Sequence, residues 1–227
     1  MPSSSPSHQK PLLIFDFDGT LADTLETGLK IYNEIAGEYG LKEVSMAEVE
    51  ELRKLNTRAL LDRMGISRLM AVKLAARIRL LLSKRIDDVP LMPGAEKMIR
   101  ELHGAGFGMG ILSSNARDNV RHLLRHHGLE GCFHFIEAGA SVFGKGSRLR
   151  GILKRERREA PAVIYVGDET RDMEAARQAG IHGVAVCWGA NGRETMLTED
   201  PDFCVDTPEE LVAQVFGFVA SGHQIPD

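Results

Sequence analysis

Five short apolar runs, each stopping at small or polar residues, constrain the fold of this chain more than any other feature. They are LLIF (Leu12 to Phe15), which runs directly into Asp16, then GMGILSSN (Gly108 to Asn115), HFIEAG (His134 to Gly139), AVIYVGDE (Ala162 to Glu169) and GVAVCWG (Gly183 to Gly189). A shorter sixth candidate is DFCVD, Asp202 to Asp206. Near-continuous apolarity over so few residues fits strands covered on both faces, as in a parallel sheet. Between the runs lie helical patterns at Gly94 to Ala105, Ala116 to His127, Gly146 to Arg158, and Thr170 to Ala179, the last followed by Gly180 as a C-cap. Strand and helix alternate, so the expected class is α/β with a doubly wound, mostly parallel sheet.

The alternation fails in one place. From Asp23 to Asp88 the sequence has only amphipathic helical pattern, as in LKIYNEIAGEYG and LMAVKLAARIRLLLSKRI, and PLMPG then restarts the strand-and-helix order. We read residues 23–88 as an all-helical cap inserted after the first strand, and residues 11–22 with 89–227 as the core. A last helix, near Pro208 to Ser221, opens on DTPEEL, with Asp206 or Thr207 as N-cap, Pro208 just inside and acids in the first turn. The opening MPSSSPSHQK is rich in Ser and Pro and has no basic start followed by an apolar segment, so residues 1–10 read as a disordered tail.

With 28 basic and 32 acidic residues the net charge is −4, which offers no general attraction for nucleic acid, and no apolar stretch reaches the length of a membrane span. An anionic ligand must therefore be held by a local site. Cys132, Cys187 and Cys204 are widely spaced without a CxxC, so they suggest neither a disulfide framework nor a zinc site, and a reducing cytoplasm is the expected location.

In open α/β sheets the ligand lies beyond the carboxyl ends of the strands, where strand order reverses. The residues ending the runs are Asp16 and Asp18 after the first strand, Ser113, Ser114 and Asn115 after the second, and GDETRD (Gly167 to Asp172) after the fourth. If the chain winds outward through the second and third strands and returns to pair the fourth with the first, Asp16 and Asp168 become neighbours. Clustered carboxylates resist ionising together unless a cation lies between them, and an all-oxygen site suits Mg²⁺.

Taken in order, DFDGT, ILSSN, Lys145 in VFGKGS, and VGDETRD resemble the four motifs of the haloacid dehalogenase superfamily, in the branch with a helical cap between the first and second motifs. The resemblance spans nearly the whole chain after the tail and is closest to the phosphoglycolate phosphatase type. It implies a Rossmann-like core and a Mg²⁺-dependent phosphomonoester phosphatase acting on a small phosphorylated metabolite through an aspartyl-phosphate. Asp16 would be the nucleophile and a metal ligand, and Asp18 the general acid and base, with its backbone carbonyl on the metal. Ser113 would bind a phosphoryl oxygen, Lys145 would place a positive charge near Asp16, and Asp168 and Asp172 would complete the metal site, with Glu169 behind them. Gly19, Thr20, Ser114 and Asn115 would line the substrate's phosphate.

Two departures from the family pattern stand out: Gly146 where proline is frequent, and Ser113 where phosphoglycolate phosphatases often have threonine. Within the family the rival is a phosphomutase resembling β-phosphoglucomutase; outside enzymes it is a silent binding module, whose usual trace, a lost motif residue, is missing. A dehalogenase is disfavoured because it needs neither Asp18 nor the acidic fourth motif. The basic run Arg148, Arg150, Lys154, Arg155, Arg157 and Arg158 lacks aromatics and reads as a solvated helix face. His122, His126 and His127 have no metal-pattern partners, and Asp23 with Glu26 resembles a capping box. Arg53, Lys54, Asn56 and Arg58 fall where a turn between cap helices could reach a substrate. The choice between monomer and homodimer stays open.

Overall fold

The computed structural model describes residues 10–139 and 144–221. The expected tail, apart from Lys10, lies outside the described residues, as do Val142 and Phe143 of the third motif. Six strands, β1 (Leu12–Phe15), β2 (Gly108–Leu112), β3 (Phe135–Glu137), β4 (Val163–Gly167), β5 (His182–Val186) and β6 (Phe203–Val205), form one sheet in the order β3-β2-β1-β4-β5-β6. All its pairings are parallel. Strand order reverses at β1, which pairs with β2 on one side and β4 on the other, so the winding expected from the sequence is present.

Among the described residues the ten α-helices are α1 (Leu25–Ala36), α2 (Met46–Leu52), α3 (Thr57–Met64), α4 (Arg68–Leu82), α5 (Ala95–Gly104), α6 (Arg117–His126), α7 (Lys145–Glu156), α8 (Thr170–Ala179), α9 (Arg193–Leu197) and α10 (Pro208–Ala220). The two-residue period of β1 divides the core. Leu13 and Phe15 pack with Met98, Leu123 and Leu211 on one face, while Leu12 and Ile14 pack with Leu149, Ile152 and Ala176 on the other. Strands β1, β2 and β4 are buried throughout, as their unbroken apolarity requires. β3 is only half-buried, because it is an edge strand with a neighbour on one side.

Helices α1 to α4 occupy the stretch without strand signal, and α1, α3 and α4 share a small apolar cluster centred on Tyr32, Ile35, Ile66 and Leu74. The chain leaves and re-enters the sheet region at one place: the Asp23 N–H donates to Pro90 O at 2.9 Å and the Met92 N–H to Leu21 O at 2.9 Å. Side-chain caps start the later helices of this group: Ser45 forms a capping box with Glu48, Asn56 accepts from the Ala59 N–H, and Ser67 from the Met70 N–H. The capping box expected from Asp23 and Glu26 does not form. Helix α1 starts at Leu25 after an uncapped Thr24, and Glu26 instead pairs with Lys30 one turn on. At the other end of the chain Thr207 is the N-cap of α10, and Gly180 ends α8 at φ +72°.

Candidate active site

The parallel pairing of β1 with β4 aligns Phe15 with Val166, so the chain beyond each strand emerges at the same level. Asp16 follows β1 directly, its own N–H donating to Val166 O at 2.8 Å, and Asp168 follows β4. Asp172 is added from the first turn of α8. Carboxylate oxygens of these three buried acids lie within 4.8 Å of one another.

Lys145, at the first position of α7, is buried and reaches two of them, its Nζ donating to Asp16 Oδ2 at 2.5 Å and to Asp172 Oδ1 at 2.7 Å. Burial alone would lower its pKa, but Asp16 and Asp172 more than reverse that and keep it charged. Burial pushes the Asp16 carboxyl up to about 7, against the pull of Lys145 and with help from Asp172 and Asp18. Asp168 is also raised well above an ordinary carboxyl, by burial first and then by Glu169, Asp16 and Asp172. Fully ionised, the three carboxylates would outnumber the one ammonium by two negative charges, a deficit that a divalent cation with oxygen ligands would fill.

The walls are built to hold Asp168 in place. Its Oδ1 accepts from Thr20 Oγ1 at 2.7 Å and its Oδ2 from the Ala190 N–H at 2.7 Å. A Cβ on Gly19, at φ +76°, would lie 2.1 Å from Asp168 Oδ2, and one on Gly189 would lie 2.3 Å from the same atom. Two glycines thus leave the space the carboxylate occupies. Asp172 Oδ1 also accepts from the Tyr165 hydroxyl at 3.2 Å, and its Oδ2 accepts from the Glu169 N–H at 3.2 Å.

Several expected substrate contacts have other partners. Thr20 is fully buried and turns its hydroxyl to Asp168 rather than to open space. Asn115 is buried too; its Nδ2 donates to Asp18 Oδ1 at 2.8 Å, and its Oδ1 accepts from the Ala116 N–H and Asn119 Nδ2. Both residues position acids. Asp18 is raised by desolvation, with Asn115 and Lys145 pulling the other way. Ser113 is buried, and its Oγ accepts from the Asn115 N–H at 2.9 Å. The Glu169 carboxylate pairs with Arg171 rather than turning to the three acids.

Arg53 lines the cavity beside the site and ties the α2–α3 turn to the chain that follows β5. Its Nη2 donates to Cys187 O at 3.0 Å, while its carbonyl accepts from the Gly192 N–H, Asn191 Nδ2 and Thr195 Oγ1. Lys54, Asn56 and Arg58 are exposed, with Asn56 used as the cap of α3. Arg79 of α4 reaches the chain after β2, its Nη1 donating to Ser114 O. Its sequence context, an Arg inside an amphipathic helix, carries no sign of this reach. An apolar cavity of about 200 Å³ lies beside the acids, between Leu25, Leu29, Val49, Leu60 and Asn191. Its lining is mostly apolar, with Arg53, Thr57, Glu169 and Asn191 as polar residues among it.

Residues 13–186 match the haloacid dehalogenase-like hydrolases. The chain belongs to that family. It is 37% identical to a phosphoglycolate phosphatase of Synechococcus elongatus over 203 residues, covering 89% of this chain and 96% of that protein. To a phosphoglycolate phosphatase of Vibrio cholerae it is 27% identical over 86% of this chain and 92% of that one. In fold it resembles a haloacid dehalogenase-like protein from Streptococcus pneumoniae, at TM-score 0.72, 19% identity, 90% of this chain and 98% of that chain. A hydrolase from Pseudomonas syringae is similar at TM-score 0.71 and 18% identity, over 92% and 98%. Within the haloacid dehalogenase-like hydrolases the chain is an enzyme of the phosphoric monoester hydrolase class. Among the described residues no helix is long and apolar enough to cross a membrane.

Proposed function

We propose that this hydrolase is a Mg²⁺-dependent cytoplasmic phosphatase of small phosphorylated metabolites that works through a phosphorylated Asp16. The observation carrying the reading is the convergence of Asp16, Asp168 and Asp172 within 4.8 Å, beside a buried lysine. Asp16, Asp168, Asp172 and the Asp18 backbone carbonyl would hold Mg²⁺. The ion would screen carboxylate from phosphate and stabilise the charge that develops during transfer.

Asp16 supplies the attacking oxygen, and Lys145 holds that carboxylate in place while facing the incoming phosphoryl group. Asp18, fixed by Asn115, has a raised pKa that suits it to carry a proton to the leaving oxygen and later to take one from water. Ser113 and the Ser114 N–H bind phosphoryl oxygens, with Gly19 allowing the turn between the two acids and Thr20 keeping Asp168 aligned. Residues 23–88 act as the cap, and Arg79 meets a negative substituent on the substrate. Because the named relatives are phosphoglycolate phosphatases, 2-phosphoglycolate is the first substrate to try.

The test is phosphate release from a panel of phosphomonoesters, with Mg²⁺ and with EDTA, ranked by kcat/KM. The expected result is metal-dependent release, with phosphate trapped on Asp16 in acid-quenched samples. An isomerised sugar phosphate accumulating in place of inorganic phosphate, or no turnover of any phosphomonoester, would overturn the proposal.

A further inference from the structure

Cys187, just past the end of β5, and Cys204, within β6, have their sulfurs 3.1 Å apart. Their positions follow from the parallel register. Cys204 pairs with Ala185 and the Cys187 N–H donates to Val205 O at 2.9 Å, so both side chains leave the same face of neighbouring strands. Both are half-buried free thiols. Seventeen positions separate them in sequence, at no spacing that marks a pair.

Cys187 also opens the segment that forms one wall of the active site. Its carbonyl accepts from Arg53 of the α2–α3 turn, the Trp188 Nε1 donates to Thr20 O at 3.1 Å, and the Ala190 N–H holds Asp168 Oδ2 at 2.7 Å. Through three residues, therefore, the thiol is joined to the carboxylate in the metal-binding cluster and to the anchor of the helical segment.

We propose that Cys187 and Cys204 are a reversible modification site, oxidised by a peroxide to an intrachain disulfide that loosens the grip of Asp168 on its cation. The two sulfurs are in contact, so either can resolve an attack made by the other, as when Cys204 attacks first. With hydrogen peroxide, the Cys204 thiolate bonds to one oxygen, the O–O bond breaks, and the departing hydroxide takes a proton to become water. The Cys187 sulfur then displaces the hydroxyl of the Cys204 sulfenic acid. The S–S bond forms, S–O breaks, and the hydroxyl leaves as a second water with the Cys187 proton. Two thiols are oxidised and one peroxide is reduced to two waters. Closing the sulfurs to about 2.05 Å draws the end of β5 towards β6 and displaces the wall behind Cys187. In a reducing compartment such a bond is transient and serves as a sensor.

The test uses the full chain, reduced and freed of reductant, then treated with stoichiometric hydrogen peroxide. Thiols titrated under denaturing conditions should fall from the three of the sequence to one, with the mass lowered by two hydrogens and dithiothreitol restoring both. Digestion should give one cross-linked pair of peptides, carrying Cys187 and Cys204. C187S and C204S should each abolish the cross-link, whereas C132S should keep it; far-UV circular dichroism checks that each variant is folded. In p-nitrophenyl phosphate assays the oxidised wild type should need about tenfold more Mg²⁺ for half-maximal rate, and C187S/C204S should show no such shift. Three thiols remaining, an added oxygen on a single cysteine, or a bridge through Cys132 or between chains would overturn the site. A Cys187–Cys204 bridge with unchanged Mg²⁺ dependence would overturn its link to the active site. The thiol count and peptide map need no turnover, so they stand apart from the proposed phosphatase activity.

Discussion

Lys145 Nζ lies 2.5 Å from Asp16 Oδ2, with both side chains almost wholly removed from solvent. The same ammonium lies 2.7 Å from Asp172 Oδ1, so it is the counter-charge that the two acids share. Lys145→Met should therefore lower the stability of the metal-free protein by about 3–5 kcal/mol, the cost of leaving buried charges unpaired. Saturating Mg²⁺ should recover part of that loss, while kcat falls by about 10²–10³-fold. Urea unfolding with and without Mg²⁺, together with single-turnover rates, checks both effects.

Asp16→Asn removes the attacking oxygen but keeps the shape of the side chain. Turnover should drop by about 10⁴-fold or more, because the covalent route is lost. The metal-free melting temperature should hold or rise, since one of three repelling carboxylates is neutralised. Initial-rate assays and thermal melts on one preparation separate the two readouts.

The raised pKa of Asp16 gives a pH signature with a definite sign. Between its unfolded value of 3.8 and about 7 the folded chain holds a proton that the unfolded chain has released. Stability from this group is therefore complete below 3.8 and is lost as pH rises through about 7. Mg²⁺, which binds the ionised cluster, should raise the melting temperature more at pH 8 than at pH 5. Equal increments at the two pH values would show that the acids do not titrate with the metal.

Gly19→Ala would place a methyl 2.1 Å from Asp168 Oδ2 at a residue with φ +76°. The left-handed backbone should cost about 1–2 kcal/mol. The displaced carboxylate should raise the Mg²⁺ concentration for half-maximal rate about tenfold. A metal titration of initial rates reads this directly.

Arg79 tests how the substrate's own charge is met. Arg79→Ala should raise KM for 2-phosphoglycolate about tenfold and leave KM for p-nitrophenyl phosphate, which carries no carboxylate, nearly unchanged. The ratio of the two KM changes is the measurement; equal changes would place Arg79 in packing alone.

The linear order of residues settled the class of fold and the acids that meet. Apolar runs ending at Asp16, Ser113 and Gly167 can be read without coordinates, because burial on two faces demands unbroken apolarity and the carboxyl ends of parallel strands share one edge. Gly180 was equally readable, and the N-cap of the last helix was narrowed to Asp206 or Thr207, since caps depend on residues a few positions apart. Tertiary structure alone decided the partners at long separation. It set Thr20 against Asp168 and Asn115 against Asp18, brought Arg53 to Cys187 O and Arg79 to Ser114 O, and set Cys187 against Cys204. The physical reason is that hydrogen-bond partners are fixed within a few tenths of an ångström by packing across several elements, while periodicity records only which face of one element is buried.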